Sequence, residues 1–230
     1  MRIFEKQHLD DFMDRGTASV FADLEFRQCS FTSSGVSITR DPRLRSTVRN
    51  VKLLRCEARG CVVDTAIIEE VLVEGLKTHG LLQCWGAVLR HVTLRGRVGR
   101  IMLSRAVATA TALPSEQRAF DEANAAYYAG VDWALDISEA EFEEADLRGV
   151  PAELVRRDPE TQVIVTREKA MRGRFREPDL SGSYWARAIP LFLERGDPSI
   201  VYVAPKRHRN FRELLDGLMR LRDAGVAEPD

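Results

Sequence analysis

A five-residue beat runs through the chain and restricts its fold more than any other feature. It reads Ser19-x-Phe21, Leu24-x-Phe26, Cys29-x-Phe31 and Ser34-x-Val36 near the start. It reads Val51-x-Leu53, Cys56-x-Ala58, Cys61-x-Val63, Ala66-x-Ile68 and Val71-x-Val73 in the middle. It returns as Leu135-x-Ile137, Ala140-x-Phe142 and Ala145-x-Leu147. A helix cannot hold a period of five on one face, because five residues turn it through about 500 degrees. A flat strand has a period of two. A chain that turns a corner every five residues would place each x-separated pair inward.

A longer interval lies over the short one. Asn50-Val51-Lys52-Leu53, Glu70-Val71-Leu72-Val73 and His91-Val92-Thr93-Leu94 recur 20 and 21 residues apart. Four faces of five residues make one coil of that length, with Val51, Val71 and Val92 in one row and Leu53, Val73 and Leu94 in another. The expected fold is mainly β: a right-handed parallel β-solenoid with an inserted helix and a C-terminal α/β cap. The expected organisation is an N-terminal cap or short helix over 1–16; a solenoid over 17–150 interrupted by a helix around 114–130; and an α/β cap or appendage over 151–230.

Ala22-Asp23-Leu24, Ala140-Glu141-Phe142 and Ala145-Asp146-Leu147-Arg148-Gly149 resemble the repeats of pentapeptide-repeat proteins, over roughly 17–103 and 133–150. The resemblance implies a small residue and a Leu or Phe pointing inward, two positions apart. Cys29/Phe31, Cys56/Ala58, Cys61/Val63 and Ala66/Ile68 fit that pair. A broader, irregular right-handed β-helix is the alternative. Some members of the family bind topoisomerases through a strongly acidic surface that mimics a nucleic-acid duplex. This chain departs from them, with a net charge of −1 and arginines at 45, 49, 55, 59, 90, 95 and 97.

Beyond Pro151 the pattern changes. Gln162–Thr166 and Ile200–Val203 suit short strands. Residues 184–195 suit an amphipathic helix, and so does the segment from Phe211 to about Ala224. Trp185, Leu191, Phe192, Phe211, Leu214 and Leu218 are the expected apolar face of this cap.

Residues in patterns that suit catalysis or metal binding are few. The four histidines, His8, His79, His91 and His208, have no zinc-like spacing with one another or with cysteine. Cys29, Cys56, Cys61 and Cys84 are expected as reduced thiols, three of them on the apolar beat, which points to a cytoplasmic location. The acids Glu139, Glu141, Glu143, Glu144 and Asp146 alternate with apolar residues and are expected as a solvated outer face. No catalytic residue, cofactor or metal ligand is assigned. No apolar run approaches the roughly 20 residues that a spanning helix needs.

Two basic patches outside the beat are the expected contact residues: Arg172, Arg174 and Arg176 in one, Arg207 and Arg209 in the other. Guanidinium groups grip carboxylates and phosphates through paired donors. The leading expectation is a non-enzymatic protein-interaction scaffold of inhibitor or immunity type, with another protein as partner and no membrane. The alternatives are a carbohydrate-active β-helix enzyme and a nucleic-acid-associated protein using the C-terminal arginines.

Overall fold

The computed structural model describes residues 1–107, 113–172 and 184–228. Its strands are β1 (Arg2–Glu5), β2 (His8–Asp10), β3 (Val20–Arg27), β4 (Ser30–Thr32), β5 (Gly35–Val36), β6 (Thr47–Leu54), β7 (Glu57–Arg59), β8 (Val62–Asp64), β9 (Ile67–Trp85), β10 (Val88–Ser104), β11 (Leu135–Asp136), β12 (Ala140–Leu147), β13 (Val155–Arg156), β14 (Gln162–Thr166) and β15 (Ser199–Val203). Its helices are α1 (Pro114–Tyr128), α2 (Arg167–Arg172), α3 (Tyr184–Arg195) and α4 (Phe211–Asp223). The opening residues hold two short strands, β1 and β2, in place of the short helix that was one expectation for them.

The expected fold class needs correction. The sheet mixes parallel and antiparallel strands, two of them long, and it is neither closed nor strongly curled. A right-handed parallel β-solenoid, a β-helix and a pentapeptide-repeat architecture are therefore not what this chain builds. The main path runs β1-β3-β6-β9-β10-β12-β15-β14. Neighbours are parallel up to β12; β15 then pairs antiparallel with β12 at Leu147↔Val201 and with β14 along its length.

The physical reason for the difference lies in β9 and β10, which run for 19 and 17 residues. Five-residue faces would have ended them several times over. The backbone instead bends at residues with left-handed φ and carries on. Asp23, Asn50, Glu70 and His91 have φ of 59°, 52°, 53° and 54°. Their flanking pairs, such as Leu24↔Val51, Val51↔Val71 and Val71↔Val92, put all four in one row across the sheet. Such a φ costs an ordinary residue about 1–2 kcal/mol. Side chains tie the row together: Asn50 Nδ2 donates to Asp23 Oδ1 at 2.5 Å, and His91 Nδ1 lies 2.6 Å from Glu70 Oε1. What looks like a corner in the sequence is a bend inside one strand.

The longer interval does reappear as register. Val51 pairs with Val71 and Val71 with Val92; Leu53 pairs with Val73 and Val73 with Leu94. Val51, Cys56, Ala66 and Val71 are buried as expected, whereas Cys61 is half-buried. Val51, Cys56 and Val71 belong to a core that extends through Leu135, Ile137 and Phe142 to Val201 and Val203, with Cys61 packed against it.

A second core lies between the antiparallel β14–β15 pair and the helices that follow these strands. Val163, Val165, Trp185, Ile189, Phe192, Leu218 and Leu221 fill it. Trp185 Nε1 donates to Leu214 O at 2.8 Å and so fastens α3 to α4. Leu191, expected on the apolar face, is exposed instead. The residues at 185, 189 and 192 are spaced by four and three, so they share one helical face and leave Leu191 outside it.

Candidate binding surface

The segment 204–210 leads from β15 into α4, and backbone bonds hold it at several points. Ala204 N–H donates to Thr161 O at 2.8 Å, and Arg207 N–H donates to Phe142 O at 3.0 Å. The Arg207 guanidinium reaches Val98 O at 3.4 Å. Lys206 Nζ lies 2.9 Å from Asp158 Oδ2. Burial alone would raise the Asp158 carboxyl. Hydrogen bonds from Lys206, Thr161 and the Glu160 N–H prevail and hold it below its ordinary value. His208 Nδ1 accepts from the Asn210 N–H at 3.1 Å, which closes the turn before the helix. Arg209 and Arg212 project into solvent beyond this anchored base.

Arg172 stands elsewhere. It ends α2 and pairs with Glu168 at 2.8 Å across one helical turn. It borders an open cavity of about 420 Å³ with Thr166, Lys169, Gly225 and Glu228. Lys169 is engaged there by Glu228 at 2.7 Å. This cavity lies at the C-terminal end of α4, whereas Arg207 and Arg209 precede its N-terminal end. Thirteen residues at about 1.5 Å each separate the two ends by about 20 Å. The structure thus leaves Arg172 apart from Arg207 and Arg209. Arg174 and Arg176 lie outside the described residues.

A second polar cluster was not anticipated. His91, on β10, has both ring nitrogens engaged by carboxylates: Nδ1 by Glu70 at 2.6 Å and Nε2 by Asp132 at 2.7 Å. Its ring stacks on Trp133, and the Arg156 guanidinium lies 4.1 Å from the centroid of the same indole. The hydrogen bond to Asp132, then that to Glu70, raises the His91 pKa above its usual value. An imidazolium donates from both nitrogens, and here both meet acceptors. No ring nitrogen is left to take a substrate proton, so the cluster is a clamp joining β9, β10 and the segment after α1. The Glu70–His91 half was visible in the 21-residue interval. Asp132 and Arg156 gave no such signal.

Other candidate chemistry resolves into structure. Glu144 pairs with Arg100, and Asp146 with Arg148, while Glu139, Glu141 and Glu143 are exposed around buried Ala140 and Phe142. All four cysteines are free. Burial pushes the Cys84 thiol up to about 12 and raises Cys56 as well, which opposes thiolate formation. Among the described residues, no group of three His, Cys, Asp or Glu side chains is placed to hold a metal ion, and no helix is long and apolar enough to cross a membrane.

Comparison with known proteins adds no relative. No family model, no curated protein and no solved structure matches this chain.

Proposed function

We propose that the chain is a non-enzymatic protein-interaction module that recognises an acidic protein through the basic segment around Arg207 and Arg209. One observation carries this reading. Arg207 is bound through both its backbone and its guanidinium to the core strands, so the next exposed cations are presented from a fixed base. Preorganisation lowers the ordering cost of binding. The positive end of the α4 dipole adds to the field of Arg209 and Arg212. Arg172, a helix length away and paired with Glu168, lies outside this segment.

The test is affinity capture from source cells with the intact chain and with an Arg209→Ser/Arg212→Ser variant. Both positions are exposed, so folding is preserved. Capture of one acidic protein by the intact chain, lost in the variant, supports the reading. Retention of the same protein by the variant sinks it. Capture of nucleic acid instead, with affinity falling steeply as salt rises, would replace it with a nucleic-acid role.

A further inference from the structure

The two ends of the sheet differ in how they finish. At one end β14 and β15 are packed under α2, α3 and α4, and the Glu228 N–H donates to Ile164 O at 2.7 Å beside β14. At the other end β1 pairs with β3 alone, and no strand among the described residues lies along its second edge. An uncovered edge offers alternate backbone donors and acceptors to any incoming strand. The apolar surface gathers at the same end. Of ten large apolar side chains standing exposed among the described residues, Met1, Ile3, Phe12, Met13 and Val20 are five.

We infer that β1 is a self-association edge, and that a second copy of this chain adds its own β1 to it, antiparallel, about a two-fold axis at Ile3. The charge of the segment argues for a copy rather than a charged partner. Residues 1–15 carry Arg2, Lys6 and Arg15 against Glu5, Asp10, Asp11 and Asp14, with both signs interspersed. Two such edges do not repel each other strongly.

The register follows from stereochemistry. Phe4 lies on the core face of β1, its ring stacked 5.0 Å from that of Phe26, and the Arg2 guanidinium lies 4.8 Å from the Phe4 centroid. Ile3 and Glu5 therefore point to the other face. A two-fold axis normal to the sheet keeps both core faces on one side, so directly opposed residues must share the same alternation. Centring on Phe4 would set Arg2 against Lys6, two cations, and Lys6 has a φ of 52° that bends the strand away. Centring on Ile3 uses the whole straight run. It opposes Ile3 to Ile3, Arg2 to Phe4 and Met1 to Glu5. Ile3, 53% exposed in one copy, is then covered, and the Arg2 cation gains a second aromatic face.

The mass of the chain in solution decides the matter. Sedimentation equilibrium up to about 100 µM should give twice 26.0 kDa, falling to 26.0 kDa for Ile3→Lys with unchanged circular dichroism. Under mild oxidation Ile3→Cys should form a disulfide-linked dimer, because its two Cβ atoms face each other across the axis. Glu5→Cys, opposed to Met1, should not. A monomer throughout overturns the inference. So does a dimer that survives Ile3→Lys, or one in which Glu5→Cys cross-links as readily as Ile3→Cys.

Discussion

His91 stacks on Trp133 with ring centroids 4.6 Å apart and an interplanar angle of 26°. The indole thereby fixes the imidazole in the plane where Glu70 and Asp132 can accept from opposite nitrogens. The folded state raises the His91 pKa above 6.5, through Asp132 first and Glu70 second. A raised folded pKa contributes stability in full below the unfolded value. That contribution disappears as pH rises through the folded value. The difference in urea midpoint between the intact chain and His91→Ala should therefore be largest near pH 6 and shrink as pH rises through the raised folded value. A difference that grows with pH would contradict the clamp.

Gly149 and Gly80 both hold left-handed backbone, at φ of 88° and 109°, but only one is crowded. A Cβ on Gly149 would sit 2.5 Å from Arg105 N and 2.8 Å from Arg105 Cα, while one on Gly80 would meet nothing within 4 Å. Gly80→Ala carries the conformational term alone, about 1 kcal/mol. Gly149→Ala adds a clash with backbone that cannot rotate away, and should cost at least about 2 kcal/mol more. Equal melting temperatures for the two variants would show that the 149 turn is looser than this packing.

Some of this was legible in the sequence, for a definable reason. Register rests on local repetition, and so the 20- and 21-residue intervals brought Val51, Val71 and Val92 together as neighbours. Helices α1, α3 and α4 and strands β14 and β15 were legible because their apolar patterns are local. The openness of the sheet was not, because it depends on how backbone bends at Asp23, Asn50, Glu70 and His91 add up over whole strands. The antiparallel entry of β15 beside β12 was hidden for the same kind of reason: Leu147 and Val201 are far apart in the chain. In the candidate surface, the basic residues were visible as a run. Their separation from Arg172 by the length of α4 was not.

Phe142 tests the seam between the parallel strands and the C-terminal layer. Its side chain is fully buried in the main core, and its carbonyl accepts the Arg207 N–H. Phe142→Ala removes a large ring from a close-packed site and should cost about 3–5 kcal/mol. The loss should also loosen the 204–210 segment, read as faster amide exchange at Arg207 than in the intact chain. Destabilisation without change at Arg207 would mean that the segment is held independently of this strand.

Arg45 provides the last test, because its burial looks unfavourable at first. Its guanidinium is buried, which lowers its pKa to about 10. It donates to Gly86 O at 3.0 Å and to Asn124 Oδ1 at 2.5 Å, and it lies 4.7 Å from the centroid of the Phe120 ring. One side chain therefore links the segment before β6, the turn between β9 and β10, and helix α1. Arg45→Ala leaves the Asn124 carbonyl short of its strongest donor and opens space against Phe120, so a loss of about 2–4 kcal/mol is expected. Arg45→Met keeps much of the volume and removes the charge that had to be buried. It should recover part of that loss. Limited proteolysis then distinguishes a local tether from general core damage: in Arg45→Ala, early cleavage should fall within or beside α1 while strands β14 and β15 stay protected. Cleavage that begins in β14 or β15 would refute the tether.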